Sequence, residues 1–337
     1  MRTAARSAAC LTTLAVTVAV TAACGGSGGG SAASGGSSSG GSASSGPTTL
    51  TIGYVPFTGN APIFLGQKQG IYAKHGLDLK MVPVQAPAAA IASLVNGEQQ
   101  IGFTTTIALI NAVANGTDIK CVTPVDGHAD PKAEYTGLFV PNSSSVQSPK
   151  DLEGKKVGIV ALGSLNDLFV KYEVAKAGGD PKKVQLVQIP FPQMQAALDQ
   201  GRVDGVVATA PFSNQIEAAG KSKVISWQEK DFIPNGQGTC YAASGSYIKS
   251  HPDQVKAFVA ANAETLDYAK AHVSDALATL PSFLSISPEV AAKSQTGATY
   301  DSTLNVDSIK SIEDEMVKQG MLTKKPAIDA IVYQAGS

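Results

Sequence analysis

Apolar, β-branched runs alternate with segments of helical period along most of this chain. Residues 49–55, 79–84, 101–104, 119–122, 136–140, 156–160, 184–189, 203–208, 224–227 and 239–243 read as strands. Residues 61–72, 88–96, 107–114, 165–177, 193–200 and 212–219 read as helices between them. Such alternation predicts an α/β fold with largely parallel sheets. From Pro252 onward Val255, Phe258, Val259 and Ala263 recur at helical spacing without strand runs, which predicts a cap of C-terminal helices.

The pattern also repeats. ASLVNGEQQIGFTTTIALINA, residues 92–112, aligns without gaps with AALDQGRVDGVVATAPFSNQI, residues 196–216, at an offset of 104. Leu94 falls on Leu198, Gly97 on Gly201 and Thr105 on Thr209. Each copy reads as a helix, a glycine suited to a left-handed cap, a short buried strand and a Thr-bearing turn into another helix. LTIGYVPFTGN, residues 50–60, has its counterpart in KVGIVALGSLN, residues 156–166. Two halves built alike predict two similar α/β lobes, in keeping with a body, Pro47 to Ser337, longer than one hydrophobic core usually serves.

The first 46 residues stand outside this pattern. Arg2 and Arg6 precede an apolar run at 11–20 that is too short to span a bilayer, and Ala22-Ala23-Cys24 follows, as in an export signal. The segment is similar to a bacterial lipoprotein signal, residues 1–23, which implies lipidation of Cys24 as the mature N-terminus. Thr21 stands where that signal usually carries an aliphatic residue, so cleavage without lipidation stays open. Residues 25–46 are only Gly, Ser and Ala, so 24–46 reads as a lipid-anchored flexible linker with a root-mean-square span of roughly 25 Å. Loss of Arg2 and Arg6 from 26 basic residues leaves 24 against 27 acidic ones, a net charge of −3 that gives no sign of nucleic-acid binding. Of four cysteines, Cys10 leaves with the leader and Cys24 is the lipidation site. In an exported chain the remaining Cys121 and Cys240 read as a disulfide, the alternative being two buried thiols on neighbouring strands.

Ligands of open parallel sheets gather beyond the C-terminal ends of the strands, where loops and helix N-termini converge. Four such ends can be named: Phe57-Thr58-Gly59-Asn60, Thr104-Thr105-Thr106, Gly163-Ser164-Leu165-Asn166 and Thr209-Ala210-Pro211-Phe212. Each offers hydroxyl, amide or backbone N–H groups at the positive end of a helix dipole. Each also has a purely structural reading. Ser164 and Asp167 fit a capping box, the three threonines fit a strand end, and Pro211 fits the first turn of a helix.

The segments LTIGYVPFTGNAPIFLGQKQGIYAKHGLDLKMVPV, DLEGKKVGIVALGS and LDQGRVDGVVATAP, in that order and spacing, resemble the substrate-binding proteins of ABC importers for nitrate, aliphatic sulfonates, taurine and thiamine-pyrimidine precursors. The resemblance implies a two-lobe Venus-flytrap fold of the type II periplasmic-binding-protein kind, with the C-terminal helices packed on lobe one. It places lobe one at 47–141 with 236–337 and lobe two at 142–235, hinged near 141–149 and 233–238. It implies a monomer that closes on a small solute and delivers it to the importer's permease and ATPase subunits at the outer face of the cytoplasmic membrane or in the periplasm, the alternative being an anchored sensor that binds the same ligands without transport. The expected ligand contacts are Phe57, Thr58, Gly59, Asn60, Thr104, Thr105, Thr106 and Asp126 from one lobe, with Gly163, Ser164, Asn166, Thr209 and Phe212 from the other.

Arg202 is the one arginine of the body and lies in a turn at the far end of its strand, so no bidentate Arg clamp is available for a carboxylate. Helix N-termini and hydroxyls suit the diffuse charge of a sulfonate or nitrate, and this is the favoured class. A neutral heterocycle would call instead on Tyr54, Phe57, Phe191, Phe212 and Trp227, and an amine on Asp126 or Asp167. Asp126, His128 and Asp130 alternate in DGHADP, but metal binding asks for convergent ligands with outer support, and a polar loop is the expectation. No metal or cofactor is called for. Related enzymes that synthesise a thiamine pyrimidine carry a cysteine-rich iron motif that is missing here, and neither a G-x-S-x-G elbow nor an evident Cys–His pair is present, so a binding protein rather than an enzyme is expected.

Overall fold

The computed structural model describes residues 46–84 and 87–334. The expected leader, Cys24 and the linker up to residue 45 lie outside the described residues. Ten strands form where the apolar runs stand: β1 (Thr48–Tyr54), β2 (Leu77–Pro83), β3 (Ile101–Thr105), β4 (Ile119–Pro124), β5 (Thr136–Pro141), β6 (Lys156–Ile159), β7 (Gln185–Gln188), β8 (Gly205–Thr209), β9 (Ser222–Trp227) and β10 (Thr239–Ser244). They build two five-stranded sheets of matching topology, ordered β2-β1-β3-β10-β4 and β7-β6-β8-β5-β9.

Both sheets are mixed rather than wholly parallel. β1 pairs parallel with β2 and β3, and β6 with β7 and β8. The strand after each crossing, β5 or β10, slots in antiparallel between the third and outermost strands of its sheet. The reason lies in direction: the chain leaves β4 and β9 at the end of the sheet where β1 and β3, or β6 and β8, also finish. It therefore enters the other sheet from that same end and runs back against its neighbours.

This corrects the expected lobe boundary. The boundary at 141 puts β5 in the first lobe, yet β5 pairs with β8 and β9 of the second sheet. The crossings are residues 125–135 and 228–238. The expected hinge at 141–149 instead lies where β5 ends, leading into the short 3-10 turn Pro149–Leu152.

The internal repeat is three-dimensional. β3 and β8 keep the offset of 104 at both ends, and the helices before them, Pro87–Val95 and Phe191–Asp199, are followed by Gly97 at φ 75° and Gly201 at φ 63°. The helix expected over 61–72 is two, Ala61–Lys68 and Ile71–Lys74, parted by Gly70 at φ 70°. In the first half Leu50, Ile52, Ile101 and Tyr241 pack with Val255 and Phe258 of the long helix Pro252–Ala271. That helix is pinned to the sheet by the fully buried Asn262, which donates to Thr123 Oγ1 (3.1 Å) and Pro124 O (2.8 Å) and accepts from Tyr72 Oη (3.0 Å). The second half closes on Leu138, Val157, Ile159, Phe169 and Val207. Full burial of each such side chain contributes about 1.5–3 kcal/mol.

Cys121 and Cys240, expected as a disulfide, are free thiols buried on the adjacent strands β4 and β10. Burial, and then the neighbouring Cys240 thiol, pushes the Cys121 thiol up; both cysteines pack as small residues of the apolar core.

Gln237 ties the second crossing to the rest. It is fully buried; its Nε2 donates to Gly127 O (3.3 Å) and Thr239 O (2.7 Å), its Oε1 accepts from Asn305 N (3.3 Å), and its carbonyl accepts from Thr106 Oγ1. Gln237→Ala strands these backbone groups and is expected to lower the unfolding free energy by about 2–4 kcal/mol. Urea denaturation followed by circular dichroism reads the loss; a change below about 0.5 kcal/mol, the level of an ordinary surface substitution, contradicts the assignment.

Candidate functional site

The strand ends of the two sheets and both crossings enclose a cleft of about 1130 Å³. Nine of the expected contacts line it: Phe57, Thr58, Thr105, Asp126, Gly163, Ser164, Asn166, Thr209 and Phe212. Four do not, because each serves the framework behind it. Gly59 is buried with no room for a side chain, since an added Cβ would stand 2.3 Å from Asp126 Oδ2 and 2.4 Å from the Phe57 ring. Asn60 donates to Val55 O (2.7 Å) and accepts from Tyr241 Oη (3.0 Å). Thr104 is buried and turns its hydroxyl to Thr105 O (3.3 Å), and Thr106 turns its own to Gln237 O.

Helix starts shape the rim. Thr105 caps the helix Thr106–Ala114 by accepting from Ala108 N (3.2 Å), and Ser164 caps Leu165–Lys176 by accepting from Asp167 N (3.4 Å). Asp167, a candidate for an amine, is spent on its own loop: it accepts from Gly163 N (2.7 Å), pairs with Lys171 (2.8 Å) and does not line the cleft. Ser164 thus both caps its helix and lines the cleft, whereas its capping partner Asp167 does only the first. Tyr54 and Trp227 are core, Trp227 edge-on to Phe139, whereas Phe57 and Phe191 line the cleft.

Aromatic rings form two walls. Phe191 and Phe212 stack at 5.8 Å between centroids with planes 15° apart, and Phe57 meets Phe103 at 5.3 Å and 60°. Polar groups gather at the crossings. Asp126, which follows β4, is half-buried, and its Oδ1 accepts from Thr239 Oγ1 (2.8 Å). Its backbone is set by Tyr300, whose N–H donates to Asp126 O (2.9 Å), and by Gly127 at φ 90°, where a Cβ would stand 2.3 Å from Asp301 N. Tyr135 closes the first crossing; its hydroxyl bonds that of Thr58 and its carbonyl accepts from Ala210 N (3.0 Å) and Ser213 Oγ (2.9 Å). Glu229, in the π-helical turn Gln228–Phe232 after β9, is only 3% exposed and accepts from Thr136 N (3.0 Å) through Oε2.

None of the described residues lining the cleft is Lys, Arg or His, whereas two are acids. Burial pushes both carboxyls up to about 7, against the hydrogen bonds from Thr239 to Asp126 and from Thr136 to Glu229 that favour the charged forms. Burial also raises the Tyr135 phenol, and both acids add to that rise. The DGHADP side chains disperse: Asp126 faces Thr239, His128 faces Thr303 O (2.8 Å), and Asp130 accepts from Lys132 N (2.9 Å).

Tyr135, Gln228, Glu229 and Phe103 also line the cleft, although the sequence pattern does not single them out. For Glu229 a signal exists. β4 and β9 stand at a constant offset of 103, and the same offset carries Asp126 onto Glu229.

Because both acids hold protons in the native state that the unfolded chain releases above about pH 4, stability falls as pH rises from about 4 to 7. The ligand-free protein is expected to melt several degrees lower at pH 8 than at pH 5.5, and Asp126→Asn to flatten that slope. Scanning calorimetry across this range checks it; a melting temperature that climbs steadily to pH 8 is the contrary result.

A sequence profile of the family described as NMT1/THI5 like matches residues 58–276. Among curated proteins the chain is 24% identical over 229 residues to the 4-amino-5-hydroxymethyl-2-methylpyrimidine phosphate synthase of Schizosaccharomyces pombe, covering 62% of either chain. It is 26% identical over 227 residues to the nitrate/nitrite binding protein NrtA of Synechococcus elongatus, covering 61% of this chain and 48% of that one. The chain thus spans about half to three-fifths of the length of these relatives. Among solved structures the periplasmic aliphatic sulphonate binding protein SsuA from Escherichia coli superposes with a TM-score of 0.69 at 21% identity, over 86% of this chain and 98% of that one. That likeness establishes the two-lobe, type II periplasmic-binding-protein fold. With 219 of its 337 residues inside the profile match, this chain belongs to the NMT1/THI5-like family.

Proposed function

We propose that this protein is an exported, lipid-anchored solute-binding protein that captures a small organic molecule in its cleft and delivers it to an ABC importer. The observation that carries the reading is the cleft itself: loops from both sheets and both crossings reach one aromatic-walled space, so a solute held there touches both halves at once. Closure around a solute needs such contacts from both sides, since a ligand shifts an equilibrium only by its differential affinity for the two states. Lobe one then comprises the sheet of β1–β4 and β10 with the C-terminal helices, and lobe two the sheet of β5–β9. Names such as nitrate/nitrite binding protein and sulphonate binding protein among the relatives support solute capture. The leader-like segment and Cys24 support export and anchoring. The protein acts as a monomer in this reading.

The expected sulfonate- or nitrate-like ligand fits the cleft less well than an organic solute with a flat apolar body. At an effective dielectric near 20 and about 5 Å, an anion beside one ionised carboxylate pays about 3 kcal/mol, and no basic side chain of the described lining offsets it. The stacked Phe191–Phe212 pair instead offers a face to a ring.

The test is thermal unfolding of the protein against sulfonates, nitrate, aromatic acids, pyrimidines and amines. A ligand at 100 times its dissociation constant adds about 2.7 kcal/mol, hence a rise of several degrees. Small-angle scattering with the hit is expected to show a smaller radius of gyration. No shift across the panel, or a shift with no compaction, counts against a closing solute-binding protein.

A further inference from the structure

We propose that the cleft recognises an organic cation, a protonated amine or similar positive nitrogen on a flat apolar body, with Asp126 and Glu229 as the paired anionic contacts, one from each half of the molecule. This rests on the solute-capture reading above and specifies its ligand class. The argument begins with symmetry. β4 and β9 occupy the same outermost place in their sheets, each beside the inserted antiparallel strand. Each carries a bulge at its repeat counterpart, Val122 and Ile225, where the ladder steps from Thr123 to Cys121 and from Ser226 to Val224. A bulge bends its strand and re-aims the residues beyond it. Four residues past each bulge stand Asp126 and Glu229, so one device is used twice to bring a carboxylate to the cleft.

Both carboxylates line one space with no cation among the described lining residues, and a positive charge entering that space offsets the desolvation that each ionised carboxylate bears there. Their protein contacts fix both groups at the wall of the cleft. Thr239 is the one side chain of the described residues that donates to Asp126, through Oδ1, while Oδ2 packs against the buried Gly59 and so fixes the carboxylate at the edge of the cleft. Glu229 accepts from Thr136 N through Oε2 and is held further by the Thr136 hydroxyl and the Tyr135 N–H, which anchors its carboxylate at the cleft. Tyr135 stands near both acids, at the junction of the halves. Around these groups the Phe57, Phe191 and Phe212 faces are negative at their centres and attract a cation as readily as they stack on a ring.

Three probes of one shape separate the possibilities: benzylammonium, benzyl alcohol and phenylmethanesulfonate, titrated calorimetrically into the full-length protein at pH 8. Benzylammonium is expected to bind at least tenfold more tightly than either of the others. Asp126→Asn is expected to weaken benzylammonium at least tenfold and to erase most of its advantage over benzyl alcohol. Glu229→Gln should act in the same direction; since Glu229 also holds Thr136 N, its melting curve is recorded alongside, and Asp126→Asn decides if that variant unfolds. Tighter binding of the alcohol or the sulfonate, or an unchanged benzylammonium affinity in Asp126→Asn, overturns the cation while leaving solute capture intact. Silence with all three probes also overturns it, and the broader thermal panel then shows separately whether solute capture stands.

Discussion

Each sheet has a slot between its third and outermost strands that is filled by a strand arriving from the other sheet. Without β10, the facing backbone groups of β3 and β4 would lie buried and unpaired, and without β5 those of β8 and β9 would. Filling both slots forces two crossings, and both must run at the end of the sheets where the other strands finish. The floor of the cleft is therefore a consequence of backbone hydrogen bonding rather than of any side chain. Residues 125–135 and 228–238 have nowhere else to pass, and with them come Asp126, Tyr135, Glu229 and Gln237.

The same constraint explains why the polar network is so dense there. A crossing lacks ladder partners, so its backbone groups take what side chains offer: Gln237 serves Gly127, Thr239 and Asn305, and Glu229 serves Thr136. Small residues let these groups approach. Gly59 gives Asp126 its place, and Gly297 lies so close to the Tyr135 ring that a Cβ would stand 2.3 Å from it. Framework and cleft are thus one network. The acids that face the cleft are held by the bonds that pair the crossings, and their raised affinity for protons is the cost of that burial.

Ten strands, the helical cap and the duplicated helix–strand–helix unit were legible in the sequence, because period and turn glycines are local properties. Gly97 and Gly201 take positive φ as their place in the repeat implied, and β3 and β8 match it residue for residue. The candidate site was legible to the extent that strand ends point to it. Thr58, Thr105, Ser164 and Thr209 line the cleft, while Asn60 and Thr106, their neighbours, turn inward. Alternation along three or four residues of a loop does not fix which hydroxyl faces out, since a 3-10 turn or an N-cap changes the period within that span.

The sequence by itself determined the α/β alternation, the two-fold repeat and the absence of an arginine near the strand ends, since each depends on residue type and spacing alone. Tertiary structure decided which sheet owns β5, whether Cys121 and Cys240 bridge or merely pack, and which acids meet in the cleft. Those outcomes depend on the direction from which a strand enters its slot and on the packing around it. Asp126 and Glu229 stand 103 residues apart in the chain, and only the two crossings bring them to one space.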